Sequence, residues 1–131
     1  MSLHEGTCQS AAQNGHLDCL KYAYENGCSW NGYTCRRALE EGHLNCLKYA
    51  YENGCTWDKY SYQYEAERAA KRGYIDCLEY AKLNGCPFDP TKLTDSLGNS
   101  IHHKLVRIHI RTIPSWYPKS NNFDFNLQKI L

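Results

Sequence analysis

Gly42-His43-Leu44-Asn45-Cys46-Leu47-Lys48-Tyr49-Ala50-Tyr51-Glu52-Asn53-Gly54-Cys55-Thr56-Trp57-Asp58 restates, 27 residues later, Gly15-His16-Leu17-Asp18-Cys19-Leu20-Lys21-Tyr22-Ala23-Tyr24-Glu25-Asn26-Gly27-Cys28-Ser29-Trp30-Asn31. A third version opens at Gly73-Tyr74-Ile75-Asp76-Cys77-Leu78 and closes at Gly85-Cys86-Pro87-Phe88-Asp89. A fixed period of this size marks a chain of stacked units, each too small to bury its own apolar face. Every residue is therefore read first by its slot in the unit.

In the second unit Cys35, Ala38 and Leu39 fall at i, i+3 and i+4, one face of a helix, with Arg36, Arg37, Glu40 and Glu41 mostly on the other. Thr34 is placed to cap this short helix and Gly42 to end it. Leu44, Leu47, Ala50 and Tyr51 mark a second helix, closed by Asn53-Gly54, where glycine takes the positive φ of a C-terminal cap. The first unit repeats the plan with Cys8, Ala11, Ala12, then Leu17, Leu20, Ala23, Tyr24; the third has Ala66, Ala69, Ala70, then Ile75, Leu78, Ala81. The expected fold is all-α, with helix-turn-helix units over about 7–33, 34–64 and 65–90. The register slips once. Cys46 and Cys77 are 31 apart, so four extra residues lie within 58–65, where Tyr60, Tyr62 and Tyr64 are expected as exposed aromatics on a connector.

The eight cysteines obey the period too: Cys8 with Cys35, Cys19 with Cys46 and Cys77, Cys28 with Cys55 and Cys86. Ala66 stands where the first slot would place a third Cys8 equivalent. Alanine replaces a small buried apolar group, not a disulfide partner or a metal ligand. Reduced, buried thiols are expected, in an intracellular protein. A metal or redox sensor built on this cysteine ladder is the competing expectation.

These phrases resemble the ankyrin repeat, whose usual unit joins a small-residue helix through Gly-His-Leu-Glu to an apolar helix ending Gly-Ala-Asp-Val-Asn. Gly15-His16-Leu17-Asp18 and Gly42-His43-Leu44-Asn45 match the first phrase; Gly27-Cys28-Ser29-Trp30-Asn31 and Gly54-Cys55-Thr56-Trp57-Asp58 match the second. The resemblance covers roughly residues 4–89. It departs in its period, 27 rather than the family's 33, so the finger between units shrinks to the turn Asn31-Gly32-Tyr33, and in lacking the opening Thr-Pro-Leu-His phrase. Short units ending Asn-Gly-Cys-x-Trp resemble those of large amoeba-infecting DNA viruses and some protists. The resemblance implies an ankyrin-type α-solenoid that binds another protein through its concave face of first helices and inter-repeat turns. On this chain that face would hold Gln9, Gln13, Tyr33, Arg36, Arg37, Glu40, Tyr60, Tyr62, Glu67, Arg68, Lys71 and Arg72. The second-helix phrase hardly changes between units whereas these positions vary, as a recognition surface does.

No catalytic constellation is found. Gly-rich phosphate loops and H-E-x-x-H are absent. His16 and His43 are locked to the repeat, with Tyr74 in their slot, which favours a structural hydrogen-bonding role. His102 and His103 are adjacent and point apart, a poor metal pair. The expectation is no enzyme activity, no cofactor and no metal. Net charge is +1, yet unevenly placed: residues 1–95 carry 10 Lys/Arg against 13 Asp/Glu, residues 96–131 carry 5 against 1. Nucleic-acid or anion binding by His102–Arg111 is a further alternative, with nucleic acid the less favoured partner. No stretch approaches the ~18 apolar residues of a membrane span, and the first residues lack the pattern of a secretory signal.

Sliding by one more period maps Ala66 to Leu93, Ala70 to Leu97, Leu78 to Leu105 and Ala81 to Ile108. Residues 91–111 are thus expected as a degenerate helical cap, with a strand at 107–111 as its alternative, closing a repeat domain over 1–111. Residues 112–131 are expected as an irregular tail. Met1 and Leu3 alone precede the first unit as apolar residues, so an uncovered first face, self-association or a longer array are all expectations.

Overall fold

The computed structural model describes residues 5–31, 33–57 and 60–105. Among them the fold is all-helical. Six α-helices run in three pairs: α1 (Glu5–Gln13) with α2 (Leu17–Glu25), α3 (Thr34–Glu40) with α4 (Leu44–Glu52), and α5 (Gln63–Arg72) with α6 (Ile75–Leu83). First helices pack side by side, α1 on α3 and α3 on α5, and second helices likewise, α2 on α4 and α4 on α6. Among the described residues no helix is long and apolar enough to cross a membrane.

All six helices stop in the same way. The α3 end shows it: the Gly42 amide donates to the Leu39 carbonyl at 3.2 Å and the His43 amide to the Ala38 carbonyl at 2.9 Å. This pair of bonds is a Schellman cap, which needs a left-handed residue after the helix. Gly42 supplies it at φ +76°. In the second helices the residue after the glycine is a cysteine: the amides of Cys28, Cys55 and Cys86 reach Ala23, Ala50 and Ala81, each at 2.9 Å. Their thiols turn inward and are buried. The cysteine slot is a helix-stop position with a small apolar side chain, as its period implied.

The core is built from small residues. Ala12, Ala38, Ala66 and Ala69 are fully buried on first helices, and Leu20, Leu47 and Leu78 on second helices. Alanines let the short helices approach closely, and the leucines fill the space between layers.

A single junction is used twice between neighbouring pairs. Tyr24 Oη and Trp30 Nε1 both donate to the Asn53 carbonyl, at 3.0 and 2.9 Å. Tyr51 Oη and Trp57 Nε1 both donate to the Asn84 carbonyl, at 3.1 and 2.8 Å. In each junction the tyrosine and tryptophan rings stack, with centroids 4.5 and 5.1 Å apart. The next unit's Tyr49 or Tyr80 meets the stack edge-on at 6.1 and 6.3 Å. Two donors thus satisfy a carbonyl that the helix end leaves without an intrahelical partner, and the edge-on ring adds a favourable quadrupole contact. His43 lies over Gly15, and Tyr74 over Gly42, at distances where a methyl group would stand only 2.6 Å from either ring. This slot serves close packing between units. Neither residue's side chain makes a capping hydrogen bond to the helix it precedes.

Three expectations fail in detail. Thr34 does not cap α3: it is buried, and its hydroxyl donates to Asn31 Oδ1 at 3.2 Å, which also accepts from the Tyr33 amide at 2.9 Å. Asn31 organises the turn instead, as short polar side chains do. Residues 91–105 are not a helix pair. They hold two 3-10 turns, Pro90–Lys92 and His102–Lys104, around an antiparallel bridge between Thr94 and Ser100. Asp95 accounts for this, because its Oδ1 accepts the Leu97 and Asn99 amides, each at 2.9 Å, and competes with helix formation. Those bonds, led by Asn99, hold its carboxyl below the ordinary range. Leu93 and Leu105 are buried as mapped, but Leu97, mapped to a buried alanine, is 84% exposed. Third, Cys19 is exposed while its equivalents Cys46 and Cys77 are buried. The expected strand at 107–111 and the tail at 112–131 lie outside the described residues.

Candidate functional site

The expected face is made by α1, α3, α5 and the turns before α3 and α5. The twelve residues assigned to it divide into two groups. Arg36 and Tyr62 are structural. Tyr62 is fully buried, its amide donating to the Pro87 carbonyl at 2.9 Å. Its ring meets Trp57 edge-on at 5.6 Å and carries the Arg36 guanidinium at 3.8 Å. Arg36 pairs with Glu65 at 2.8 Å, their side chains only 11% and 14% exposed, and also donates to the Ser61 carbonyl at 3.1 Å. The connector before α5 folds over the neighbouring unit, so the second of the three tyrosines becomes a wedge. Arg36 then neutralises what would be a stranded charge on α5.

Glu40 is also not a surface group. It is 4% exposed, and Arg37 and Arg68 each reach its carboxylate at 3.1 Å. One glutamate thus anchors two arginines from adjacent units, leaving a local excess of positive charge above it. Arg37 sits 5.8 Å from the Tyr33 ring centroid and Arg68 5.6 Å from that of Tyr64. Arg68 also donates to Tyr64 Oη at 2.9 Å. That bond, with the Glu40 charge behind it, holds the Arg68 guanidinium still more firmly protonated.

The remaining positions frame this band. Tyr33, Tyr60 and Tyr64 are 55%, 66% and 61% exposed. Gln13 and Lys71 are exposed. Arg72 holds the Glu40 carbonyl at 3.0 Å and Glu41 at 3.2 Å. Gln9 on α1 accepts from Asn31 in the turn before α3 at 3.0 Å, and Glu67 accepts from Gln63 one turn earlier on α5 at 3.3 Å. Tyr64 is absent from the expected face. The signal for it is the i, i+4 spacing of Tyr64 and Arg68 on one helix.

The thiols are the other chemistry to be placed. Cys35 Sγ donates to Cys55 Sγ at 3.1 Å in the buried interior. That bond first, and burial second, drive the Cys35 thiol far above its ordinary value. Burial pushes Cys8 up to about 12 and Cys77 up to about 11. These groups are held as neutral thiols, the unreactive form. Among the described residues no three His, Cys, Asp or Glu side chains converge as a metal-binding group.

The buried thiols give the fold a pH dependence. A folded-state pKa above the unfolded value near 9.0 means that the fold binds the proton more tightly. Stability is therefore complete below pH 9 and falls as pH rises toward about 11 for Cys77 and about 12 for Cys8. Burial shifts Tyr49 and Tyr80 in the same direction. The Cys35 bond shifts Cys55 the other way, a contribution that is complete once pH passes the unfolded value near 9.0, so the urea midpoint is expected to be lower at about pH 10.5 than at about pH 9. A midpoint unchanged at the higher pH would contradict the burial of these groups.

Comparison with protein-family models, with curated proteins and with solved structures gave no match to this chain.

Proposed function

We propose that this chain is a small α-solenoid of ankyrin type that binds another protein, inside the cell and without catalysis of its own. The band that runs from Tyr33 and Arg37 over Glu40 to Arg68 and Tyr64, with Tyr60 beside it, is the surface that meets the partner. One observation carries this. Of the five large apolar side chains exposed among the described residues, three stand at the starts of first helices: Tyr33 before α3, Tyr60 before α5 and Tyr64 in the first turn of α5. Two of them are each set against an arginine that a buried glutamate holds in place.

Physical chemistry favours such a surface for protein recognition. Tyrosine and arginine are the side chains that most often dominate an interface. Here the arginines are already oriented, so little side-chain entropy is lost on contact. Tyr33 and Arg37 recur one unit on as Tyr64 and Arg68, whereas the first unit has Gly6 and Ser10 in those slots. The paired tyrosine and arginine surface therefore belongs to the second and third units, while the junction residues join one unit to the next. The resulting face is cationic and aromatic, which suits a partner segment offering carboxylates beside apolar side chains.

Tyr33→Ala, Tyr60→Ala and Tyr64→Ala together are expected to weaken partner capture from lysate of the source cell at least about 100-fold, at ~1 kcal/mol or more for each ring. The fold should remain intact because all three rings are exposed. Undiminished capture by the folded triple variant would overturn the assignment.

A further inference from the structure

The two internal junctions define what one unit presents to the unit before it. In α4 and its flanks this is His43 over a glycine, Cys46, the edge of Tyr49 and the Asn53 carbonyl; in α6 it is Tyr74, Cys77, Tyr80 and the Asn84 carbonyl. Covered in this way, Cys46 and Cys77 are 1% and 2% exposed. The α2 unit presents the same residues in the same order, His16, Cys19, Tyr22 and Asn26, and all four are exposed, Tyr22 at 63%. Asn26 Nδ2 donates to the Tyr22 carbonyl at 2.7 Å. Asn53 and Asn84 bind Tyr49 and Tyr80 identically, at 2.8 Å each. The helix end is therefore shaped as it is inside the stack.

Among the described residues the far end of the stack lacks this junction. In the slots of Tyr24 and Trp30 the third unit has Lys82 and Phe88. The Phe88 side chain has no N–H to donate. Lys82 turns back to the Phe88 carbonyl at 2.7 Å and lies 5.2 Å from its ring. Beyond Phe88 the chain adds Leu93, Ile101 and Leu105, all buried, to the same core. Among the described residues both stacked Tyr–Trp pairs are already committed to Asn53 and Asn84, so this part of a second copy has no pair to offer.

We propose that the outer face of α2, formed by His16, Cys19, Tyr22 and the Asn26 carbonyl, is a docking surface for one further helix-pair unit of the same kind. Such a unit is recognised by a free, stacked Tyr–Trp pair that donates twice to the Asn26 carbonyl. Among the described residues the stack is thus open at α2, whereas at Lys82 and Phe88 both junction donors are missing. This surface is separate from the aromatic and arginine band and stands or falls without it.

Cys19 reports on the face directly, since it is exposed and the seven other thiols are buried. The test uses the full chain with residues 7–33 duplicated in tandem, which joins Tyr33 to Thr7 as it is normally joined to Thr34. The outer copy carries Cys19→Ser, so that the inner Cys19 alone occupies this slot. Alkylation of the inner Cys19 is expected to be slowed about 100-fold relative to Cys19 of the unmodified chain, because reaction then waits on opening of the added unit. Tyr24→Phe with Trp30→Phe in the outer copy keeps both rings and removes both donors, and should return at least about tenfold of that reactivity. Circular dichroism of the duplicated chain should show the added helix content and a later melt. A folded four-unit chain whose inner Cys19 reacts as fast as in the unmodified protein would overturn the proposal. So would protection of Cys19 in the unmodified chain that grows with its concentration, which would place a second copy on the face.

Discussion

Leu47→Asp is expected to unfold the protein at room temperature. Leu47 is fully buried at the centre of the middle unit, on the helix that packs against both α2 and α6. The substitution removes roughly 2–3 kcal/mol of apolar burial. It also places a carboxylate where no cation reaches, for a total of at least about 4 kcal/mol. Domains of this size hold only about 5–15 kcal/mol in all, and a core so rich in alanine and cysteine gives each leucine a large share. The middle unit carries both junctions, so its loss separates the outer two. Leu97→Asp is the matched control: the same chemistry at an 84% exposed position should move stability by no more than about 0.5 kcal/mol. Far-ultraviolet circular dichroism at 25 °C decides it. A cooperative melt by Leu47→Asp at the wild-type temperature would contradict a stack held by its second helices.

Gly42→Ala should be the next most damaging substitution, and Gly54→Ala its comparison. Both glycines have positive φ, +76° and +99°. A side chain in that region costs about 1 kcal/mol or somewhat more. At Gly54 nothing lies within 4 Å of the added methyl group, so the backbone term stands alone. At Gly42 the methyl group would stand 2.6 Å from Tyr74 Cγ and Cδ2, inside the ring's contact distance. The atoms it meets are the near side of a ring packed against the core, not the far end of a flexible side chain. The expected loss is about 3 kcal/mol at Gly42 against about 1 at Gly54, read from urea midpoints. Tyr74→Ala combined with Gly42→Ala should cost clearly less than the two single changes together, because the clash is shared. Equal losses at Gly42 and Gly54 would show that the ring is not packed on the glycine.

Much of this structure is legible in the chain because repetition isolates what packing requires. Cys28, Cys55 and Cys86 recur after a glycine because at the stop of each second helix this side chain is buried in the core, where a small apolar group fits. Leu20, Leu47 and Leu78 recur because every unit offers the same groove to its neighbour. Slots cannot say which copy sits at an end, and Cys19 differs from Cys46 only in having no unit over it among the described residues. The four residues added before α5 break the register, and with it the means of seeing that Tyr62 turns inward beneath Arg36. Glu40 reads as a surface charge because its partner Arg68 comes from the next unit, at a distance that one helix's periodicity does not encode. The turn around Asp95 is hidden by hydrophobic spacing that suits a helix equally well, while the competing side-chain bonds lie in the polar residues between.

The central claim is that one side of the stack recognises a protein and the opposite side does not. Its most direct test is crosslinked capture with three chains of equal, verified fold: wild type; Tyr33→Ala/Tyr60→Ala/Tyr64→Ala; and Glu25→Ala/Glu52→Ala, which alters exposed positions on the second helices. The account predicts one partner held by the wild type and by the glutamate variant, and lost by the tyrosine variant. Retention by the tyrosine variant, with loss by the glutamate variant, would contradict it.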